Sequence, residues 1–460
     1  MALPKGWRND LEHWIADEIE YIVKAFAARR DHRRADIGFV RQGRGIGYMY
    51  AEGQLLVREE YIDRVLDILG HGSEREFRAA HPERIRRVIA GVVLLNLDQI
   101  KGRRSFYVPD ALVQIDGQLG QGAATPDYVL TVSGDAGICP ATEPEEVYSK
   151  TEPYPGVCHD GGGQGVHIYL ADTGLLPHAD YGHPWLDGVR IGKFPEDEDT
   201  WDPAKPIPRY GAHGTFTAGV ARCVAPGAEI VATNAFAVAG STLESDLVPR
   251  LVDALGEGTD IFHLTVAAPT RADLPLIAFE AWLRLLRQYK GTLCVSAAGN
   301  NDSRRPHWPG AFRDVLSVGA LAADWRSRAS FSNYGGWVDV YAPGRDLVNA
   351  YATGRYDCQI DPYKGQDRHF FGMAKWSGTS FSTPIVTGLI ASRMSRTGEN
   401  ARQAAAALLA EARAQAIPGV GAVLLPECPG DRRPGRECGC CGTGPVRSCH
   451  GHRECPLYRR

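Results

Sequence analysis

From about residue 166 onward, short apolar segments alternate with stretches of helical period. VHIYLAD, EIVATNAF, DIFHLTV and GTLCVSAA read as strands; LESDLVPRLVDALGEG and PLIAFEAWLRLLRQY read as helices between them. Strands that are apolar along their whole length need cover on both faces, and β–α alternation supplies it as a parallel sheet flanked by helices. In such sheets ligands bind at the carboxyl ends of the strands, so chemistry is sought in the residues that follow each strand.

The segment before this sheet has a different texture. Residues 10–30 repeat Leu11, Trp14, Ile15, Ile19, Ile22 and Val23 at helical spacing among charges. IGFVRQGRGIGYMYAEGQLLVRE suggests short strands around glycine turns, EYIDRVLDIL a helix, and RVIAGVVLLNL a buried segment whose period decides neither state. Residues 134–165 are rich in Pro, Gly and acids without an apolar period. The expected division is an N-terminal α+β domain over 1–135, prodomain-like in its place, a linker over 136–160, an α/β domain over 161–425 and a Cys-rich tail over 426–460.

Bulk properties exclude several classes. The chain has 460 residues, 44% hydrophobic and 23% charged, with a formal net charge of -4. That is an ordinary globular composition, and it points to no nucleic-acid partner and no membrane partner. The N-terminus carries charges throughout and lacks a secretory core of roughly 7–15 apolar residues, so a cytoplasmic location is expected. The longest apolar run, VIAGVVLLNL, is far short of the roughly 20 residues that span a bilayer.

Four strand ends or helix starts carry reactive groups. Asp172 ends VHIYLAD before Thr173 and Gly174, and His213 opens the small-residue helix of YGAHGTFTAGVA. Asn300 follows Ala297, Ala298 and Gly299 in CVSAAGN, a side-chain amide able to bind an oxyanion. Ser380 in KWSGTSFSTPIV stands at the start of an apolar helix, with Pro384 suited to its first turn. There, unpaired N–H groups and the positive dipole end favour a developing negative charge. Singly, each has an ordinary reading: turns for Asp172 and Asn300, a satisfied or solvent-facing ring for His213, and helix caps for Ser380, Ser382 or Thr383.

Together, in the order Asp, His, Asn, Ser, they resemble the subtilisin-like serine peptidases, or subtilases, over roughly residues 160–425. The motifs are DTG at Asp172, HGTxxAG at His213, AAGN ending at Asn300 and GTSxSTP around Ser380. Family-like punctuation lies between them: Gly227 in VAPGAEI, Pro309 and Gly310 in WPGAF, and ASFSNYG followed by DVYAPG. The resemblance implies a subtilisin-like fold and a serine endopeptidase acting on a peptide or protein substrate. Ser380 would attack the carbonyl, His213 would move the proton, Asp172 would orient the imidazolium, and Asn300 with the Ser380 N–H would hold the oxyanion.

By the same resemblance, extended-strand pairing would place Thr265, Val266 and Ala267 on one substrate edge and Ala297, Ala298 and Gly299 on the other. His307 would lie near the specificity pocket, where it and Arg304 or Arg305 would favour a small or acidic side chain; a surface histidine is the ordinary alternative. No cofactor is required for this chemistry, and the ligands of the family's calcium sites find no residue-by-residue match. The segment 194–210 carries an acidic run that either binds a cation or basic peptide or is simply solvated. The segment 355–370 is a candidate lid. Cleavage of the chain by itself near 134–165 would make it a zymogen.

In the tail, Cys438, Cys441, Cys449, His452 and Cys455 form a candidate zinc set, against a disordered tail, redox-labile thiols or a partner-docking tail as alternatives. Two further functions share these residues. One is a peptide ligase or cyclase using the same acyl-enzyme; the other is a non-hydrolytic binding or regulatory protein on the same fold.

Overall fold

The structure is a computed structural model that describes residues 11, 13–29, 35–43, 45–97, 107–132, 141–148, 151–158, 161–236 and 238–426. The candidate zinc ligands of the tail lie outside these residues.

The α/β half is a parallel sheet of seven strands. Their order across the sheet is Val340–Pro343, Val315–Leu321, Leu293–Ala297, Ile261–Leu264, His167–Asp172, Glu229–Asn234 and Arg190–Ile191. The four apolar segments of the sequence form its centre, as their two-sided burial requires. Alternate side chains sort to opposite faces: Ile168, Leu170 and Ile230 pack with the helices His213–Val224 and Thr379–Thr397. Phe262, Leu264 and Tyr169 pack with Glu244–Leu255 and Ile277–Leu286, where Phe262 meets Trp282 edge-on at 5.1 Å.

The helix carrying Ser380 begins five residues before Pro384, so the proline falls in the second turn and not the first. Having no N–H, it leaves the Ser380 carbonyl without its helical donor.

The first 132 residues supply most of a second, antiparallel sheet. Its order is Ser241–Leu243, Ala124–Thr131, Gly45–Arg58, Val92–Asn96 and Ile85–Ile89, with Ile37–Gln42 also paired to Gly45–Arg58. The ambiguous run RVIAGVVLLNL is thus two strands meeting at Gly91, whose φ of +88° favours glycine. The helix His13–Ala28 lays Ile15, Ile19, Ile22 and Phe26 onto this sheet, and the same cluster includes Val238 and Leu243 from the other half.

One strand of this sheet, Ser241–Leu243, therefore belongs to the α/β half, and the two halves share it. Asp127, fully buried on Ala124–Thr131, accepts from Ser245 N at 3.0 Å and Ser245 Oγ at 2.7 Å, at the start of the helix Glu244–Leu255. Glu244 beside it accepts from Ala278 N and Phe279 N, at the start of the next helix. Each carboxylate satisfies donors that a helix start leaves unpaired.

The segment 355–370 is not a separate lid. It forms the distal part of the antiparallel hairpin Leu347–Asp357 and Asp367–Trp376, anchored to the N-terminal helix by the Lys364–Asp17 ion pair. Cys223, Cys294 and Cys358 are free and buried, whereas Cys158 is disulfide-bonded, which a reducing cytosol does not favour. Among the described residues no helix is long and apolar enough to cross a membrane.

Candidate active site

Asp172 is the last residue of the central strand His167–Asp172 and is fully buried. Its Oδ1 accepts from Thr173 N at 2.7 Å and faces His213 Nδ1 at 2.6 Å, and its Oδ2 accepts from Thr265 Oγ1 at 2.9 Å. Burial opposes ionisation, but the His213 ring and the three hydrogen bonds outweigh it and hold the carboxyl below its usual range.

His213 opens the helix His213–Val224, also without exposure. The close approach is made by glycine: a Cβ on Gly214 would lie 2.1 Å from the Gly174 carbonyl oxygen. The imidazole packs against Phe381 at 5.1 Å and edge-on to Trp376 at 5.6 Å. With Nδ1 donating to Asp172, Nε2 is left as the acceptor, and it has no partner among the described residues.

Ser380 lies in the first turn of the helix Thr379–Thr397. Its hydroxyl donates to the Val132 carbonyl at 3.3 Å, so the serine–imidazole bond of a resting triad is not made. Asn300 sits beside it: its Oδ1 accepts from Thr379 N and Thr379 Oγ1, both at 2.9 Å. Those bonds turn Nδ2 away from Thr379, buried and without a partner among the described residues. An amide donor with no acceptor of its own among the described residues thus lies beside the residue that precedes Ser380, an arrangement able to bind an oxyanion.

The chain itself fills the cleft. Ala267 N donates to Thr131 O at 3.2 Å, and Val132 N donates to Gly240 O at 3.0 Å. Leu130 pairs with Thr242, and Val129 with Leu243. Residues 129–132 are thus held as a strand between Ala267 on one side and 240–243 on the other.

This differs from the sequence expectation at the second edge. Ala298 N is engaged by Val318 O and Gly299 N by Thr379 Oγ1, while Ala297 pairs within the parallel sheet. The edge at 240–243 has no distinctive residue type, so nothing in the sequence marked it. On the first edge, Ala267 meets the strand, but the Thr265 hydroxyl turns inward to Asp172 and Val266 is buried in the core.

His307 is buried, with Nδ1 facing Arg305 O at 3.0 Å and its ring stacked on Trp337 at 6.2 Å, which removes the surface reading. Arg305 is committed to Asp273, Thr270 O and, in the N-terminal sheet, Gln42 and Gly47 O. No group of three or more potential metal ligands occurs among the described residues.

The subtilase family model matches residues 163–423. A thermophilic serine proteinase of Bacillus sp. (strain AK1) is 33% identical over 241 residues, 50% of this chain and 52% of that protein. Thermitase of Thermoactinomyces vulgaris is 29% identical over 56% of this chain and 84% of its own length. An intracellular serine protease of Paenibacillus polymyxa is 29% identical over 52% and 69%. The match thus spans about half the length of the first of these relatives. Fervidolysin of Fervidobacterium pennivorans, a keratinolytic enzyme related to subtilisin, shares the fold, with a TM-score of 0.53 at 17% identity over 82% of this chain and 60% of that one. With the model matching more than half of its length, and with the four motifs gathered at one strand-end cleft, the chain belongs to the subtilase family.

Proposed function

We propose that this chain is a serine endopeptidase that works through Ser380, His213 and Asp172, with Asn300 and the Ser380 N–H as oxyanion donors. The observation that carries the reading is a peptide segment lying as an extended strand in the cleft, with its Val132 carbonyl 3.3 Å from the Ser380 hydroxyl. Beside it stands a buried Asp172–His213 pair whose Nε2 is free to take a proton.

In this reaction His213 Nε2 takes the Ser380 proton as Oγ bonds to the carbonyl carbon. The oxyanion forms against Asn300 Nδ2, and the imidazolium, stabilised by Asp172, gives its proton to the leaving amine. Water then repeats the sequence on the acyl-enzyme and restores Ser380.

The occupying strand is read as an autoinhibitory one, and the N-terminal sheet as a prodomain. The Val132 carbonyl is not the one poised for attack, because Asn300 Nδ2 has nothing to bind while that oxygen lies on the Ser380 hydroxyl. We therefore assign self-cleavage to a peptide bond of the linker a few residues beyond Val132, and not to the Val132–Ser133 bond. Intact mass and N-terminal sequence of the purified wild type, compared with Ser380→Ala, test this. The expected result is a wild-type product beginning a few residues beyond 132 and an uncut variant. Wild type that stays full length under conditions where it hydrolyses added peptide would reject the prodomain reading, and cutting of both proteins would reject Ser380.

A further inference from the structure

We propose that Asp199 is the positioning residue for the catalytic base: its carboxylate, reaching from the acidic segment 194–210, fixes the left-handed turn at Ala212 from which His213 starts its helix. The inference rests on the peptidase reading of the site.

Ala212 has φ of 61° and ψ of 9°, a left-handed conformation that an L-residue other than glycine adopts only at a steric cost. Alanine has no side chain with which to cap the helix, and the structure shows no side-chain cap there. The restraint comes from outside: Asp199 Oδ2 accepts the Ala212 N–H. Asp199 is itself held from the other side, because its N–H donates to Leu175 O at 2.9 Å and Leu175 N donates to Asp197 O at 3.2 Å. Leu175 follows Asp172 by three residues. A short run, 197–199, therefore ties the end of the Asp172 strand to the residue before His213.

The groups facing this carboxylate are few. Asp172 acts on it from the central strand, and Tyr351, whose buried hydroxyl has no partner among the described residues, feels its charge from the strand Leu347–Asp357. On the helix side, His213 follows Ala212 directly. Arg209, which a freely placed acid would attract, is paired with Glu18 of the N-terminal helix. Burial pushes the Asp199 carboxyl up to about 7, opposed by the Ala212 N–H and reinforced by Asp172. Near neutral pH Asp199 thus gains a negative charge close to the Asp172–His213 pair.

Geometry and charge separate in two substitutions. Asp199→Asn keeps an acceptor for Ala212 N–H and removes the charge; Asp199→Ala removes both. Activity on an extended peptide, expressed per fluorophosphonate-titrated serine and measured from pH 5 to 9, reads them out. Asp199→Asn is expected to keep plateau kcat within about threefold with KM unchanged, a rescue by the retained acceptor. Asp199→Ala is expected to lose roughly 10- to 100-fold in kcat at little change in KM, the scale set by a misplaced catalytic group. A loss of tenfold or more in kcat for a folded Asp199→Asn, which keeps the acceptor for Ala212 N–H, would overturn the proposal, including in the case where Asp199→Ala does not fold. So would full kcat in Asp199→Ala. Self-cleaved wild type that takes up no fluorophosphonate would sink the peptidase reading, a failure distinct from either.

Discussion

Asn300 and Thr379 hold each other: both the backbone N–H and the hydroxyl of Thr379 donate to Asn300 Oδ1 at 2.9 Å. The hydroxyl oxygen in turn accepts from Gly299 N at 3.1 Å. This pair of hydrogen bonds to one oxygen fixes the amide plane, so on the proposed mechanism Nδ2 needs no reorganisation when charge develops.

Asn300→Leu should therefore lower kcat by about 10²–10³ with little change in KM, a magnitude that comes from subtilisin itself and not from this chain. Steady-state kinetics on an extended peptide check it. A rise in KM at constant kcat would mean that Asn300 serves binding and not the transition state.

Thr265→Val removes the only donor to Asp172 Oδ2 among the described residues while keeping the shape. A hydrogen bond to a charged group is worth about 1.5–3 kcal/mol, so a loss of roughly tenfold or more in kcat is expected. If KM changes and kcat does not, Thr265 belongs to the substrate edge after all.

Gly214→Ala would drive a methyl against the Gly174 carbonyl oxygen, 2.1 Å away on ideal geometry. Backbone must give, and the helix of His213 is displaced from Asp172. Destabilisation of about 1–3 kcal/mol is expected, together with loss of turnover. Urea unfolding and kinetics on the same preparation measure both, and unchanged activity would show the Asp172–His213 distance to be slack.

Asp127 and Glu244 make the junction of the two halves sensitive to pH. Burial pushes Asp127 up to about 7, with the Ser245 hydrogen bonds opposing. Burial, with Asp127 adding to it, pushes Glu244 up to about 8. Carboxyls with raised folded-state values bind more protons folded than unfolded between about pH 4 and 8. Stability is then greatest at the acid end of that window and falls as pH rises through it, by up to about 1.4 kcal/mol per pH unit for each proton released. Thermal unfolding of the Ser380→Ala chain from pH 5 to 9 should show this decline, and Asp127→Asn should flatten it. A slope that Asp127→Asn leaves untouched would remove Asp127 as its source.

How much of this was legible in the sequence follows from which interactions are local. The central strands were readable because two-sided burial writes an unbroken apolar run, as in VHIYLAD. Asp172, His213, Asn300 and Ser380 were readable because each is embedded in small residues demanded by close packing, Gly214 being the clearest. The pairing of 129–132 with 240–243 was not, since backbone hydrogen bonding needs no particular side chain there. Asp199 was read only as part of an acidic run, because its partner is the N–H of an alanine 13 residues away. The inward turn of the Thr265 hydroxyl was hidden by the same parity that placed Ala267 on the cleft edge.

Reaction with a fluorophosphonate probe, followed by peptide mapping of the mature wild type and of Ser380→Ala, examines the central claim most directly. Stoichiometric modification confined to Ser380, absent from the variant, is the result expected from a nucleophile paired with His213. Mature protein that hydrolyses peptides yet leaves Ser380 unmodified, or carries the label on another residue, would contradict it.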